Sequence, residues 1–367
     1  MAPFKRRTFL ATAAVTAASA TATAAPASAV GSHDGPADPW PLDSVARLLA
    51  MPEAGRGIDW LRSALQVAVG LELSTIPPYL CGWWSIRDRG ADAARLIRRI
   101  LDDEMYHLGL VCNLLVAVGG RPRIRAAAPA YPGPLPGGVR AGVTVYLSGL
   151  TRSYVHDVMM AVEAPEEPLA LRDSAPPTIG AFYGAVLECF MTVAPQLSAR
   201  GQLNAHIGSD ELRPVETLLD VERSIDIIRE QGEGTSSSPA DSFADDHPAH
   251  YYAFGEIYHG RQLQQTDAGW TFTGAPVPFP DTRPMARVPA GGWPRPSAPV
   301  QQLLHRFDTT YTTLLDSLDA AWGDGGPRSL GAAIHAMRSL EEPAVRLMET
   351  KIPGTHSTYG PQFHALP

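Results

Sequence analysis

The chain has 367 residues, with 30 basic and 38 acidic side chains, a formal net charge of −8 and 45% apolar residues. This acidic balance argues against nucleic acid as a partner, which favours a basic surface, and the apolar content is enough for a sizeable core. The 33 glycines and 34 prolines gather in particular stretches, the pattern of helices joined by long ordered loops rather than of general disorder.

Residues 1–29 read as a targeting segment. A basic start with Arg6-Arg7 is followed by Phe9-Leu10, a run of small residues and an A-x-A cleavage site at Ala27-Ser28-Ala29. That is the pattern of a twin-arginine (Tat) export signal. It places the mature protein, beginning near Val30, in the periplasm or outside the cell. No later stretch has the roughly 18 consecutive apolar residues that a membrane-spanning helix needs. Residues 30–45 form a polar linker.

From Ile58 the pattern turns helical and amphipathic. Leu61, Leu65, Ala68, Glu72 and Ile76 recur at steps of three and four, so Glu72 lies in an apolar seam. Pro77 and Pro78 follow one turn later. They cannot donate to the carbonyls of Leu73 and Ser74, which predicts a kink that opens the bundle beside Glu72. The next helix, about 91–118, carries the series Ile97, Ile100, Glu104, His107, Val111, Leu114 and Val118, and Gly119-Gly120 and Pro122 then stop it. A Pro/Gly loop covers 128–138. Further helices are predicted over about 148–163, 178–194 and 215–230, with another starting near His247. After the irregular segment 266–300, two helical patterns close the chain, through Leu303, Phe307, Tyr311, Leu314 and Leu318, and through Leu330, Ile334, Met337, Leu340 and Leu347. Cys81, Cys112 and Cys189 are odd in number and sit in helices, which reads as buried thiols rather than a disulfide framework.

The chemistry is carried by Glu104-Met105-Tyr106-His107. Three residues apart on a helix, Glu104 and His107 share one face, and that face is apolar. An unpaired buried carboxylate costs several kcal/mol, so either a hydrogen-bonded Glu–His pair or a metal must compensate. Glu72 on the preceding helix tips the balance toward metal. Bundles with di-iron or di-manganese sites take one Glu from each of two helices and Glu-x-x-His from the other two. Glu188 is the candidate ligand on the third helix, although Phe182, Val186 and Phe190 define a face rotated from it. His250 is the candidate on the fourth, with His247 three residues earlier where that pattern has Glu. Asp246 also reads as a helix cap there. The aromatic residues Tyr79, Trp83, Trp84, Tyr106 and Tyr251 are candidates for a pocket wall or for ordinary core.

The stretches LELSTIPPYLCGWWSI, LDDEMYHLGLVCNLLVAVGG, APAYPGPLPGG, TIGAFYGAV, IIREQGEGT and HYYAFGEI resemble the ferritin-like domain of the iminophenylpyruvate dimer synthase family, the VioB-type enzymes of violacein and bisindole biosynthesis. The resemblance spans roughly residues 58–265, and the C-terminal GPQFH is similar too. It implies an all-α, ferritin-like four-helix bundle with long Pro/Gly-rich loops and extra C-terminal helices. It also implies oxidative amino-acid or imine chemistry in secondary metabolism. Matched position by position, Glu72, Glu104, His107, Glu188 and His250 fall on metal-ligand positions, and His247 falls where the family has Glu. An imidazole there lowers the negative charge of the site and bears on which metal it prefers.

The expected organisation is therefore a signal at 1–29, a linker at 30–45, a metal-binding helical domain at 46–265, a connector at 266–300 and a C-terminal helical pair and tail at 301–367. The expected function is that of an exported oxidase, oxygenase or imine-coupling enzyme. It would hold one or two metal ions, iron first and manganese or copper next, and act on a small amino-acid-derived molecule with dioxygen or peroxide. A non-catalytic metal-storage bundle is the alternative. Either is compatible with an oligomer.

Overall fold

A computed structural model describes residues 44–165, 179–233, 238–239, 247–267 and 269–367. The segment expected to be an export signal and nearly all of the expected linker lie outside these residues. The described residues form one compact unit.

The helices run in chain order as α1 Ser44–Ala50, α2 Ile58–Ser85 and α3 Asp92–Ala117. A helical segment follows that starts as α4 Arg152–Tyr154, widens into π-helix over Val155–Met160 and ends as α5 Ala161–Glu163. Then come α6 Ile179–Val193, α7 Leu218–Glu233, α8 His250–His259, α9 Ala298–Ala320, α10 Gly326–Ser339 and α11 Glu341–Glu349. Strands among the described residues are confined to three two-stranded antiparallel hairpins: β1 Gly133–Pro134 with β2 Thr144–Val145, β3 Ala205–Ile207 with β4 Asp210–Leu212, and β5 Gln264–Thr266 with β6 Gly269–Thr271. The architecture is thus all-α. The second C-terminal pattern divides into α10 and α11 around Leu340, just before Pro343.

Helix α2 differs from the amphipathic reading, because it is buried on nearly every side from Trp60 to Ser85. Its partners explain this. It packs along α3 and α6 on the bundle side, and the C-terminal helices cover it from outside. Trp84 meets Phe307 of α9 at 6.2 Å and stacks on Phe363 of the C-terminal tail at 6.1 Å. On α3, buried Asn113 accepts from Trp322 at 2.9 Å and donates to the carbonyl of Leu203 at 2.8 Å. Cys81, Cys112 and Cys189 are buried free thiols. No helix among the described residues is long and apolar enough to cross a membrane.

The prolines do not end α2, which continues through both to Ser85. Pro78 leaves the carbonyl of Ser74 without its helical donor, and the Tyr131 hydroxyl donates to that oxygen at 2.7 Å. Tyr131 is itself buried and comes from the Pro/Gly loop between α3 and α4. The loop therefore repairs a hydrogen bond that the sequence of α2 removes. Replacing Tyr131 with Phe keeps the ring and strips the donor from a buried carbonyl. Chemical denaturation should show a loss of about 1–3 kcal/mol. An unchanged midpoint would show that another donor satisfies Ser74.

Candidate metal centre

Glu72 stands on α2, Glu104 and His107 on α3, Glu163 at the end of α5 and His250 at the start of α8. All five are buried, and His250 is completely so. They form two overlapping triads, Glu72/Glu104/His107 and Glu104/Glu163/His250. In each, one donor atom per residue lies within 4.8 Å of the others. Glu104 belongs to both.

The two imidazoles are oriented alike. His107 points Nδ1 at Glu72 Oε2, 3.7 Å away, and its Nε2 meets Gln231 Oε1 at 2.7 Å. His250 points Nδ1 at Glu104 Oε1 (2.9 Å) and Glu163 Oε2 (3.8 Å), and its Nε2 meets Asp103 Oδ2 at 3.1 Å. Gln231 Oε1 can only accept, so His107 carries a proton on Nε2, and the Asp103 carboxylate likewise favours a proton on Nε2 of His250. Once Nδ1 gives up its proton to an incoming metal, each ring can ligate through that nitrogen, with an outer oxygen fixing the ring, the usual support of a metal-binding histidine.

A metal ion fits this donor set. His250 Nδ1 is buried and lacks a hydrogen-bond partner, because Glu104 Oε1, although 2.9 Å away, is not aligned to accept. Two donors that each hold one ion at about 2.1 Å, at right angles, stand about 3 Å apart. Three carboxylates with two imidazoles are also the hard-oxygen and borderline-nitrogen set that iron and manganese take.

The remaining lone pairs are held by hydroxyls. Thr75 donates to Glu104 Oε2 at 2.7 Å, Tyr183 of α6 donates to Glu72 Oε1, and Tyr79 of α2 donates to Glu163 Oε1. Burial, followed by the charge of the facing carboxylate, pushes both tyrosines well above their ordinary pKa. They act as fixed donors.

The carboxylates set the protonation of the centre. Burial pulls His107 down, but the facing Glu72 carboxylate and the charge of Glu104 outweigh it and lift the ring to about 9. His250 is raised in the same way by Asp103, Glu104 and Glu163. Burial and then the Glu163 charge raise Glu104 to about 7. Burial also pushes on Glu163, yet the facing His250 imidazole and the hydrogen bond from Tyr79 win and hold it below the usual carboxylate range.

Two residues singled out in the sequence are not in this cluster. Glu188 points away from the core of α6 with its side chain 54% exposed, and its nearest cation is Arg56 at 3.8 Å. Tyr183 is what α6 turns toward the centre, and the third helix's carboxylate is Glu163 of α5. His247 is exposed, just ahead of the first turn of α8, while His250 three residues later is inside. The aromatic cluster also disperses. Tyr79 serves Glu163, Trp83 lies under Arg89 at 4.2 Å, Trp84 packs on α9, Tyr106 lines a separate polar cleft and Tyr251 pairs with Tyr252. A cavity of about 30 Å³ adjoins the centre instead, walled by Leu71, Leu135, Val162 and Ile179, with Arg229 exposed at its rim.

A bundle that joins two carboxylate–imidazole triads through one shared glutamate defines a class, the metal-binding four-helix proteins. The ferritin-like family model matches residues 65–259, and the chain belongs to that family. A ferritin-like protein from Caulobacter vibrioides has the same fold, with a TM-score of 0.60 at 23% identity over 83% of this chain and 97% of that one. No curated protein matches the chain.

Two measurements follow. Metal analysis should show the content per chain halved in Glu163→Gln, nearly abolished in Glu104→Gln and unchanged in Glu188→Gln and His247→Ala; metal lost on changing Glu188 would contradict the geometry. The second concerns pH. Folding raises the pKa of His107 from 6.5 to about 9 and of Glu104 from 4.5 to about 7. Each protonated form is favoured by the fold, so its contribution is complete below the unfolded value and is lost as pH rises through the folded one. Tm of metal-free protein should therefore fall between pH 6.5 and 9, whereas metal-loaded protein should change little there. A metal-free Tm that rises over this range would refute the assignment.

Proposed function

We propose that the chain is an exported metal-dependent oxidase or oxygenase of the imine-forming or imine-coupling type, acting on a small amino-acid-derived acid. The observation that carries this conclusion is the pair of triads joined at Glu104 beside a small, mainly apolar cavity. The resemblance to iminophenylpyruvate dimer synthase domains supports the substrate class.

Glu72 and His107 would hold one metal ion, Glu163 and His250 a second, and Glu104 both. Iron is the first choice. Such a pair, when bound, supplies electrons for the reduction of dioxygen. The protein's own part is positioning and exclusion of water. Thr75, Tyr79 and Tyr183 fix the carboxylate oxygens. Leu71, Leu135, Val162 and Ile179 keep bulk water from the centre, and the ≈ 30 Å³ they enclose admits dioxygen or one small substrate group. Arg229 at the rim, exposed and without an acidic partner among the described residues, suits a substrate carboxylate.

The test uses iron-loaded protein recovered from the export route, with an N-terminus near Val30. An oxygen electrode should record substrate-dependent uptake with amino acids or their imino acids. Glu163→Gln should remove the uptake, and Arg229→Ala should raise KM about tenfold with little change in kcat. Oxygen consumed only in proportion to added ferrous iron, whatever organic acid is present, would overturn the enzymatic reading in favour of storage.

A further inference from the structure

A second cavity lies outside the metal centre, between the α2–α3 pair and the C-terminal helices α9 and α10. It encloses about 240 Å³. From α2 it is walled by Leu73, Ile76, Pro77 and Leu80. At 100° per residue these side chains lie about a third of a turn around the helix from Glu72, Thr75 and Tyr79, which serve the metal centre. From α3 it takes Met105 and Leu108, each one residue beyond Glu104 and His107. One helix pair thus serves two separate spaces.

The far wall is aliphatic too, built on Leu314, Leu318, Ile334 and Met337, and Trp322 and Phe363 close one part of it. Apolar side chains facing one another across a space of this size would ordinarily collapse or be filled, since voids are costly in close-packed interiors. Tyr311 belongs to the same wall, and its buried hydroxyl has no hydrogen-bond partner. A structure that satisfies the Ser74 carbonyl with a dedicated tyrosine leaves this one unserved.

Charge at the rim is asymmetric. Arg98 and Asp102 both border the cavity but neutralise each other at 3.0 Å. Arg338 of α10 borders it as well, is exposed, and has no acidic partner among the described residues. The cavity therefore offers an apolar interior and, where it meets solvent, the uncompensated Arg338 guanidinium, with the His206 imidazole also on its border. A cavity of about 150 Å³ admits benzene, so this one has room for a molecule of about ten heavy atoms.

We propose that this cavity binds a single medium-chain fatty acid, its tail between α2–α3 and α9–α10 and its carboxylate at Arg338. The apolar walls select the chain, its length is limited by the enclosed volume, and the guanidinium selects an acid over an alcohol or an amine. The site is independent of the metal chemistry, since none of the five metal-facing residues borders it.

Calorimetric titration of purified protein with sodium decanoate, below its micellar concentration, tests the assignment. Decanoate should bind one per chain and more tightly than hexanoate or palmitate. Arg338→Glu, at an exposed position, should weaken decanoate at least tenfold and leave decanol unaffected. Ala333→Trp, which places bulk in the wall, should abolish binding of both while metal content stays at the wild-type value. If Ala333→Trp fails to fold, the chain-length series and Arg338→Glu decide by themselves. Absence of decanoate binding, equal affinity for decanoate in Arg338→Glu, or tighter binding of dodecylamine than of decanoate would each overturn the proposal. So would tighter binding of an aromatic acid such as 2-naphthylacetate, which would mean the cavity selects flat rings rather than a chain.

Discussion

Everything around the centre answers to the burial of Glu104. A carboxylate taken out of water costs several kcal/mol even after relaxation, and here two more carboxylates lie within reach of it. Such a cluster persists only if positive charge and hydrogen-bond donors surround it closely. Two imidazoles supply charge, and Thr75, Tyr79 and Tyr183 supply donors. The imidazoles are in turn held by Gln231 and Asp103, and Asp103 has Arg99 at 3.9 Å. Each layer makes the one inside it affordable in a dry interior, which is why polar networks of this kind are complete or absent.

The same constraint accounts for the sequence of α2. This helix presents Glu72, Thr75 and Tyr79 to the centre and an aliphatic face to the C-terminal helices, so it has no solvent side to spare. The two prolines cost it backbone hydrogen bonds, and a neighbouring element replaces one of them. Tyr131 reaches the Ser74 carbonyl that Pro78 leaves without a donor, and Tyr154 of α4 adds a further bond, to the Pro78 carbonyl, at 3.2 Å. Those tyrosines come from the long loop and the short helix that follow α3. The Pro/Gly-rich segment is thus part of the support for the central helix.

Much of this was legible. The Glu-x-x-His pair on an uninterrupted apolar series marks α3, and Glu72 in its own apolar seam marks the partner helix, because a buried carboxylate is too costly to be incidental. Glu163 was missed for a physical reason. The π-helical stretch Val155–Met160 adds a residue to its turn, so a 3.6-residue count along that helix drifts before it reaches Glu163. A signal was present in the step of four through Val155, Met159 and Glu163, at the end of the helix predicted over about 148–163. Glu188 attracted attention as the acidic residue of an apolar helix, although five residues from Tyr183 places it about 140° away from the face that enters the core. His247 and His250 have the spacing of a ligand pair, but a pair works only inside a helix, and α8 begins at His250. Gln231 and Asp103 carry no motif at all; only the fold brings them to the outer nitrogens of the two histidines.

The central claim is that five side chains on four segments hold two metal ions with Glu104 between them. Anomalous X-ray scattering from crystals of iron-loaded protein tests it most directly. The account predicts two peaks, one within bonding distance of Glu72 and His107 and the other of Glu163 and His250, both in contact with Glu104. A single peak that leaves Glu163 and His250 without metal, or density at Glu188 or His247 in place of the shared centre, would contradict it.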